Sequence, residues 1–290
     1  MSDLLSTGAS ALLSFQRAMT TTSHNVANAN TPGYSRQRVE LNSRGANYAG
    51  YGFIGAGVEV TTIRRMVNGF LTGRLDQSAA EMGRLTALSG LSSRVNRMMT
   101  EASTSISGPL SGYFDSVEGV SADPRSSAAR EGMLQSAQSL AARFQTQQRQ
   151  LNELETETNQ QISAEVGEIN QLTTQIARLN DEIVRLQASG QPPNDLMDQR
   201  DQAIQTLSGK IGVTTTDQGD GALNVFTTGG LNLVLGKPTQ PITAASDPLR
   251  PERLQLSLSS PSGPISLGES AVSGTLAGLF AVRREVIDPA

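Results

Sequence analysis

The chain has 290 residues, 37% of them hydrophobic but only 4% aromatic, with no Trp, no Cys and a formal net charge of −4. That length holds about two domains, and the lack of cysteine excludes disulfides, thiolate nucleophiles and Cys-ligated metals. The acidic balance offers no basic field for nucleic acid or anionic lipid, and no apolar run approaches the roughly 18–20 residues of a membrane span, so neither nucleic-acid binding nor membrane insertion is expected.

Residues 4–26 come first. Leu5, Gly8, Leu12, Phe15, Met19, Thr22 and Val26 alternate spacings of three and four, the seam of a coiled-coil-type helix. From Ser2 to Ser35 the only full charges are Asp3 and Arg17; Ser, Thr, Gln and Asn fill the rest, a surface suited to burial among other protein on several sides. Burying the large seam residues yields about 2 kcal/mol each, against about 1–2 kcal/mol per residue to order the backbone. The segment is therefore expected to order on assembly, the alternative being a helix docked permanently on its own domain. No basic region precedes an apolar core, so no cleavable secretion signal is read.

The run Ser23-His24-Asn25-Val26-Ala27-Asn28-Ala29-Asn30-Thr31-Pro32-Gly33-Tyr34 closes this helix with a polar, turn-forming knot. Pro32 disfavours the helical region at Thr31, and Gly33 supplies a positive φ for a tight turn. Asn25, Asn28 and Asn30 offer amides to backbone groups left open at the helix end.

Residues 36–62 alternate polar and apolar at Arg38-Val39-Glu40-Leu41 and Val58-Glu59-Val60, short strands around a glycine-rich loop from Asn47 to Gly57. Gly50, Gly52 and Gly55 match a dinucleotide fingerprint, but a strand before, a helix after and an acid about 20 residues on are all missing. Residues 67–107 and 126–188 read as long helices. Ile162, Ile169, Ile176 and Ile183 share one heptad position, and Leu172, Leu179 and Leu186 the other, with Glu165 a lapse. The flanking Val166, Thr173, Asn180 and Gln187 carry no charges to select a second chain, so this seam is expected inside an intramolecular bundle.

After a turn at Ser189–Pro193, Asp195 is expected as a helix N-cap with Asp198 at the third helical position, close to a capping box. The spacing of Asp195, Asp198 and Asp201 raises a cation site, yet carboxylates in a first helical turn serve as caps and dipole partners, and no metal site is expected. From Ile211 the period changes to two, through Val213, Leu223, Val225, Leu231, Leu233 and Leu235, then Leu254, Leu256 and Leu258, as in a small antiparallel β domain. The fold class is thus mainly α with a small β domain: an N-terminal coiled-coil-type helix, a long-helix bundle, then an antiparallel β-rich part.

No enzyme is expected. His24 is the sole histidine and sits in the polar knot. No G-x-S-x-G elbow occurs, and Glu155, Glu157, Glu165 and Glu168 lie on a solvated helix without an aromatic-lined pocket. Catalytic residues and cofactors are therefore none, and a peptidoglycan hydrolase is the enzyme alternative.

The knot S-x-N-V-A-N-x-N-T-x-G-Y resembles the signature of the flagellar rod, hook and hook-associated axial proteins, and the continuation Ser35-Arg36-Gln37 is most similar to the hook-associated protein 1 family. Further collinear resemblances lie in Gly55–Leu71, in Phe114, Asp123-Pro124 and Arg130, and in Asp195-Leu196-Met197-Asp198-Gln199-Arg200-Asp201 with Leu207-Ser208. They continue through Asp220–Val234 and from Gly274 to Ala290. Asn68 stands where family members often have Asp, which puts a salt bridge there in doubt. The resemblance implies a structural subunit, outside the cell at the hook–filament junction, exported by the flagellar apparatus without signal cleavage. Its implied partners are copies of itself in a ring, the hook protein, hook-associated protein 3, and an export chaperone that grips a C-terminal region. A rod or hook component is the alternative within the class. Leu5, Leu12, Phe15, Met19 and Val26, with Asn25, Asn28, Asn30, Thr31, Gly33 and Tyr34, are the expected assembly interface; Asp195, Asp198, Arg200 and Asp201 are a structural motif. The implied segments are 1–70 (axial helix and strands), 71–208 (helical bundle), 209–273 (outer β part) and 274–290 (returning helix). The family's second β segment and C-terminal helices do not follow Ala290, so the chain is expected to be a fragment or shortened form.

Overall fold

The computed structural model describes residues 2–48, 50, 52–100, 105–188, 190–260 and 263–288, with side chains from Leu5 onward. The helix expected through 101–104, Ser189 of the turn, and the end at Pro289–Ala290 lie outside the described residues. The fold is mainly helical with small antiparallel sheets. Helix α1 (Ser2–Ala27) leads into the ribbon β1 (Gln37–Ser43) and β4 (Val58–Arg65), whose tip is the minimal pair β2 (Asn47–Tyr48) and β3 (Phe53–Ile54). Helices α2 (Gly69–Thr100), α3 (Ser107–Ala122), α4 (Ser127–Gln187) and α5 (Asn194–Ile211) follow. Then come strands β5 (Val213–Asp217), β6 (Leu223–Thr227) and β7 (Asn232–Val234), and strands β8 (Ile242–Ser246), β9 (Leu254–Ser260) and β10 (Gly263–Leu267). Helix α6 (Gly274–Val282) runs into a π-helical turn at Arg283–Ile287.

Two compact units emerge, each discontinuous in sequence: Met1–Ala79 with Ile169–Pro241, and Ala80–Glu168 with Ile242–Ala290. The expected segments 1–70, 71–208, 209–273 and 274–290 follow chain order instead. In the first unit, the sheet ordered β5-β6-β7 and helix α5 share a core with the end of α4, where Ile176, Ile183, Leu207, Ile211, Val225, Leu233 and Val234 are all 0% exposed. In the second, the sheet ordered β10-β9-β8 buries Leu256, Leu258 and Leu267, and α6 buries Leu276, Leu279 and Phe280. A Cβ on Gly278 would stand 2.4 Å from the Arg84 carbonyl oxygen, so only glycine lets α6 approach the α2 backbone this closely.

Several expectations need correcting. The β part forms two three-stranded sheets, one in each unit, where a single small antiparallel domain is expected from sequence. Helix α3 lies between the two long helices expected from sequence and buries none of its residues, so its sequence shows no core stripe. On α4, Ile162, Ile169, Ile176 and Ile183 are fully buried and Leu179 is buried, but Leu172 is half-buried and Leu186 is 48% exposed. The second buried row is Val166, Thr173 and Asn180, the positions read as flanking. The stripe is rotated by one position because Asn180 donates to the Leu223 and Gly236 carbonyls, both at 2.8 Å, and so belongs inside. Helix α5 begins at Asn194 after Pro193, which places Asp195 in its first turn rather than at the cap. Ile211 closes α5 instead of opening a strand.

Candidate functional site

Helix α1 is amphipathic in an inverted sense. Thr7, Ser10, Ala11, Ser14, Ala18, Thr21 and Asn25 form its covered face, with Ser14 and Thr21 buried, and this face lies against β1 and β4. The contact is close because it is built of small groups. The Ser10 hydroxyl accepts the Val58 N–H at 3.4 Å, and a Cβ on Gly57 would sit 2.3 Å from Ser10 Oγ. Hydroxyls of Ser10, Ser14 and Thr21 donate to carbonyls one turn back, so their polarity is satisfied within the helix. The seam predicted from sequence points away: Leu5, Leu12, Phe15, Met19 and Val26 are between 64% and 77% exposed. A helix of a lone globular subunit would place these residues in its core. Here the helix is docked on its own domain, yet its apolar stripe remains uncovered.

The knot beyond α1 is held by its named side chains. Asn25 pairs with the backbone of Gln37 as a strand would, accepting its N–H and donating to its carbonyl, both at 2.8 Å. The Tyr34 hydroxyl donates to Asn25 Oδ1 at 2.8 Å. That leaves its oxygen to accept from His24, whose Nδ1 lies 3.0 Å away. Asn28 donates to the His24 carbonyl and accepts from the Thr31 hydroxyl. Gly33 takes φ 78° and faces Gln202 of α5, where a Cβ would come within 3.1 Å. Asn30 is exposed and makes no side-chain hydrogen bond among the described residues.

The two strongest sequence motifs meet here. Asp198 accepts the Ser35 N–H at 3.0 Å through one oxygen and Arg65 Nη1 at 2.7 Å through the other. Arg65 also donates to Asp201 at 2.8 Å, and Gln37 Nε2 donates to Asp195 at 3.2 Å. Burial, and then the charges of Asp195 and Asp198, push the Tyr34 hydroxyl above its ordinary pKa. Arg200 is buried and donates to the Gly221 carbonyl at 2.6 Å and to Asn180 Oδ1 at 3.3 Å, tying α5 to α4 and the first sheet. Burial lowers the Arg200 pKa, opposed by neighbouring Asp201. The three aspartates thus hold an arginine, a backbone amide and a glutamine, and no group of metal-ligating side chains occurs among the described residues.

Sequence reasoning missed Arg65, Asp76 and Asn194. Arg65 lies in the Gly55–Leu71 stretch that carries a family resemblance but no assigned role. Asp76 is buried on α2 with one carboxylate oxygen lacking a hydrogen-bond partner. Burial first, and the Asp201 charge second, raise its pKa to about 6. Asn194 donates to the Ile63 carbonyl at 2.8 Å. Asn68 caps α2, accepting the N–H groups of Phe70 and Leu71 at 3.1 and 3.4 Å.

Comparison with known proteins matches this arrangement. The family model for the flagellar hook-associated protein FlgK helical domain matches residues 92–290, and that for the flagella basal body rod protein matches residues 5–34, which hold α1 and the knot. Flagellar hook-associated protein 1 of Salmonella typhimurium is 31% identical over 99% of this chain and 53% of its own length. The Escherichia coli protein of the same name is 29% identical over the same shares. The solved structure of the flagellar hook junction protein FlgK from Burkholderia pseudomallei superposes with a TM-score of 0.68 at 29% identity, over 75% of this chain and 40% of that one. The chain spans about half the length of the curated relatives it matches. With a helical-domain match over most of its length and the axial signature folded into a knot at its start, the chain belongs to the flagellar hook-associated protein FlgK family.

Proposed function

We propose that this chain is part of a structural subunit of the bacterial flagellum that joins hook to filament, and that it assembles through the apolar face of α1. One observation carries the reading: the covered face of α1 is small and polar, whereas the face left outward carries five large apolar side chains. Covering those five is worth about 10 kcal/mol before the costs of association. The knot fixes where that face points, since Asn25, Tyr34 and Asp198 tie the end of α1 to β1 and α5. Copies of itself in a ring, the hook protein below and hook-associated protein 3 above are the proposed neighbours, with export through the flagellar apparatus aided by a chaperone. The role is mechanical. His24 has its Nδ1 engaged with Tyr34, and the carboxylates of α5 are engaged as anchors.

Met19→Asp places a charge in the outward stripe, at a side chain that is 72% exposed in the subunit. Expressed in cells lacking the native protein, the variant should keep its helical circular dichroism and melting temperature but fail to support filaments on hooks. Filaments at wild-type frequency would overturn the assembly reading. In the deletion strain itself, intact hooks without filaments are expected; missing hooks would assign the chain to rod or hook, and normal flagella with altered wall digestion to a hydrolase.

A further inference from the structure

A cavity of about 170 Å³ lies in the second unit, lined by the β8–β9 turn, strands β9 and β10, and the π-helical turn after α6. Three arginines line it, and they differ in how their charge is met. Arg253 is neutralised by Glu155 and Asp288. Arg283 is 4% exposed, and its guanidinium meets neutral partners: the Leu254 carbonyl at 3.3 Å, Asn159 Oδ1 at 2.7 Å and the Phe280 ring, whose centroid lies 5.4 Å away. Its Nε has no hydrogen-bond partner. Arg250 is exposed, and its guanidinium has no acceptor among the described residues.

A buried guanidinium without a direct ion pair is costly, and a small anion nearby would offset that cost. Burial first, and the neighbouring Arg253 second, lower the Arg283 pKa, opposed by the charges of Glu155, Glu269 and Asp288, none of which forms a direct ion pair with it. Ser266 adds a donor, because its oxygen already accepts from Gln255 Nε2 at 2.9 Å and its hydroxyl proton is left for another acceptor. Two carboxylates share the lining, but each is engaged. Asp247 accepts the Leu249 N–H at 2.8 Å, and Glu269 pairs with Arg284 at 3.3 Å.

We propose that this cavity binds a small oxyanion, a carboxylate or a phosphate, between Arg250, Arg283 and the Ser266 hydroxyl. Arg250 supplies a charge-assisted bond from the exposed side, and Arg283 supplies a fixed positive field from the buried side. The test is a titration of the whole chain with inorganic phosphate, and separately with acetate, at constant ionic strength, reading the arginine Nε–H resonances. A saturable shift of the Arg250 and Arg283 signals is expected. Arg250→Gln should weaken it about tenfold, the loss of one bond to a charged partner, with an unchanged melting temperature in anion-free buffer. Arg178→Gln, exposed on α4 in the first unit, should leave binding intact. Response to phosphate alone indicates a free phosphate ligand, and response to acetate alone a carboxylate group. No saturable response to either, or equal binding by the Arg250→Gln variant, overturns the proposal.

Discussion

At the scale of single residues, the buried charges around α5 carry the sharpest predictions. Arg65 is 10% exposed in its side chain and bridges Asp198 and Asp201. Arg65→Gln leaves two carboxylates facing each other with little solvent, and should cost about 3 kcal/mol in urea denaturation. Asp198→Asn should cost a similar amount, and the double variant less than the sum, because the two losses are one broken network. Asp76 acts in the opposite direction. Its folded pKa of about 6 exceeds the ordinary 3.8, so the folded state binds the proton more tightly than the unfolded one. The penalty is absent below about pH 3.8, grows as pH rises through 6 and is constant above. Two pKa units amount to about 3 kcal/mol. Asp76→Asn should therefore raise the denaturation midpoint at pH 7, and the two proteins should converge near pH 4. A midpoint at pH 7 equal to or below wild type would show that the carboxylate is solvated.

At the scale of elements, the long helix shows what periodicity discloses and what it conceals. The isoleucines at 162, 169, 176 and 183 are all fully buried. Of the leucines at the other heptad position, Leu179 is buried, Leu172 half-buried and Leu186 exposed. Asn180 and Thr173 are polar by type, and only their partners show that they lie inside. Asn180 closes three backbone bonds, to Leu223 N–H and to the Leu223 and Gly236 carbonyls, contacts set by a turn some 43 residues later that no local pattern announces. Ile176→Asp should lower the melting temperature sharply, by burying an unpaired carboxylate. Leu186→Asp, at a position read as seam but exposed, should do little, as should Gln175→Asp. Equal losses at 176 and 186 would restore the original seam.

At the scale of the whole molecule, much of the class was legible and little of the assembly of its parts. The helix-then-sheet order followed from the change of period near Ile211. The junction of knot and α5 did not, because Ser35 and Asp198 are 163 residues apart and each motif reads locally as a turn or a cap. Arg65, which joins them, carries no periodic signal at all. The same limit hid the division of the β region, since the strands after Pro241 fold with residues before Glu168 rather than with the preceding sheet.

The inverted first helix has a thermodynamic consequence. Its outward stripe is apolar, and Arg17 is the single charge between Leu5 and Tyr34. Association through that face should therefore be driven by released water near room temperature, with a negative heat-capacity change. Warming from the cold should strengthen it, sulfate should favour it, and sodium chloride at moderate strength should scarcely weaken it, because little charge is there to screen. Light scattering of the concentrated chain between about 5 and 30 °C tests this directly. Self-association that grows on cooling, or that dissolves with modest salt, would mean that charged surfaces elsewhere bring the subunits together and that the stripe is a bystander.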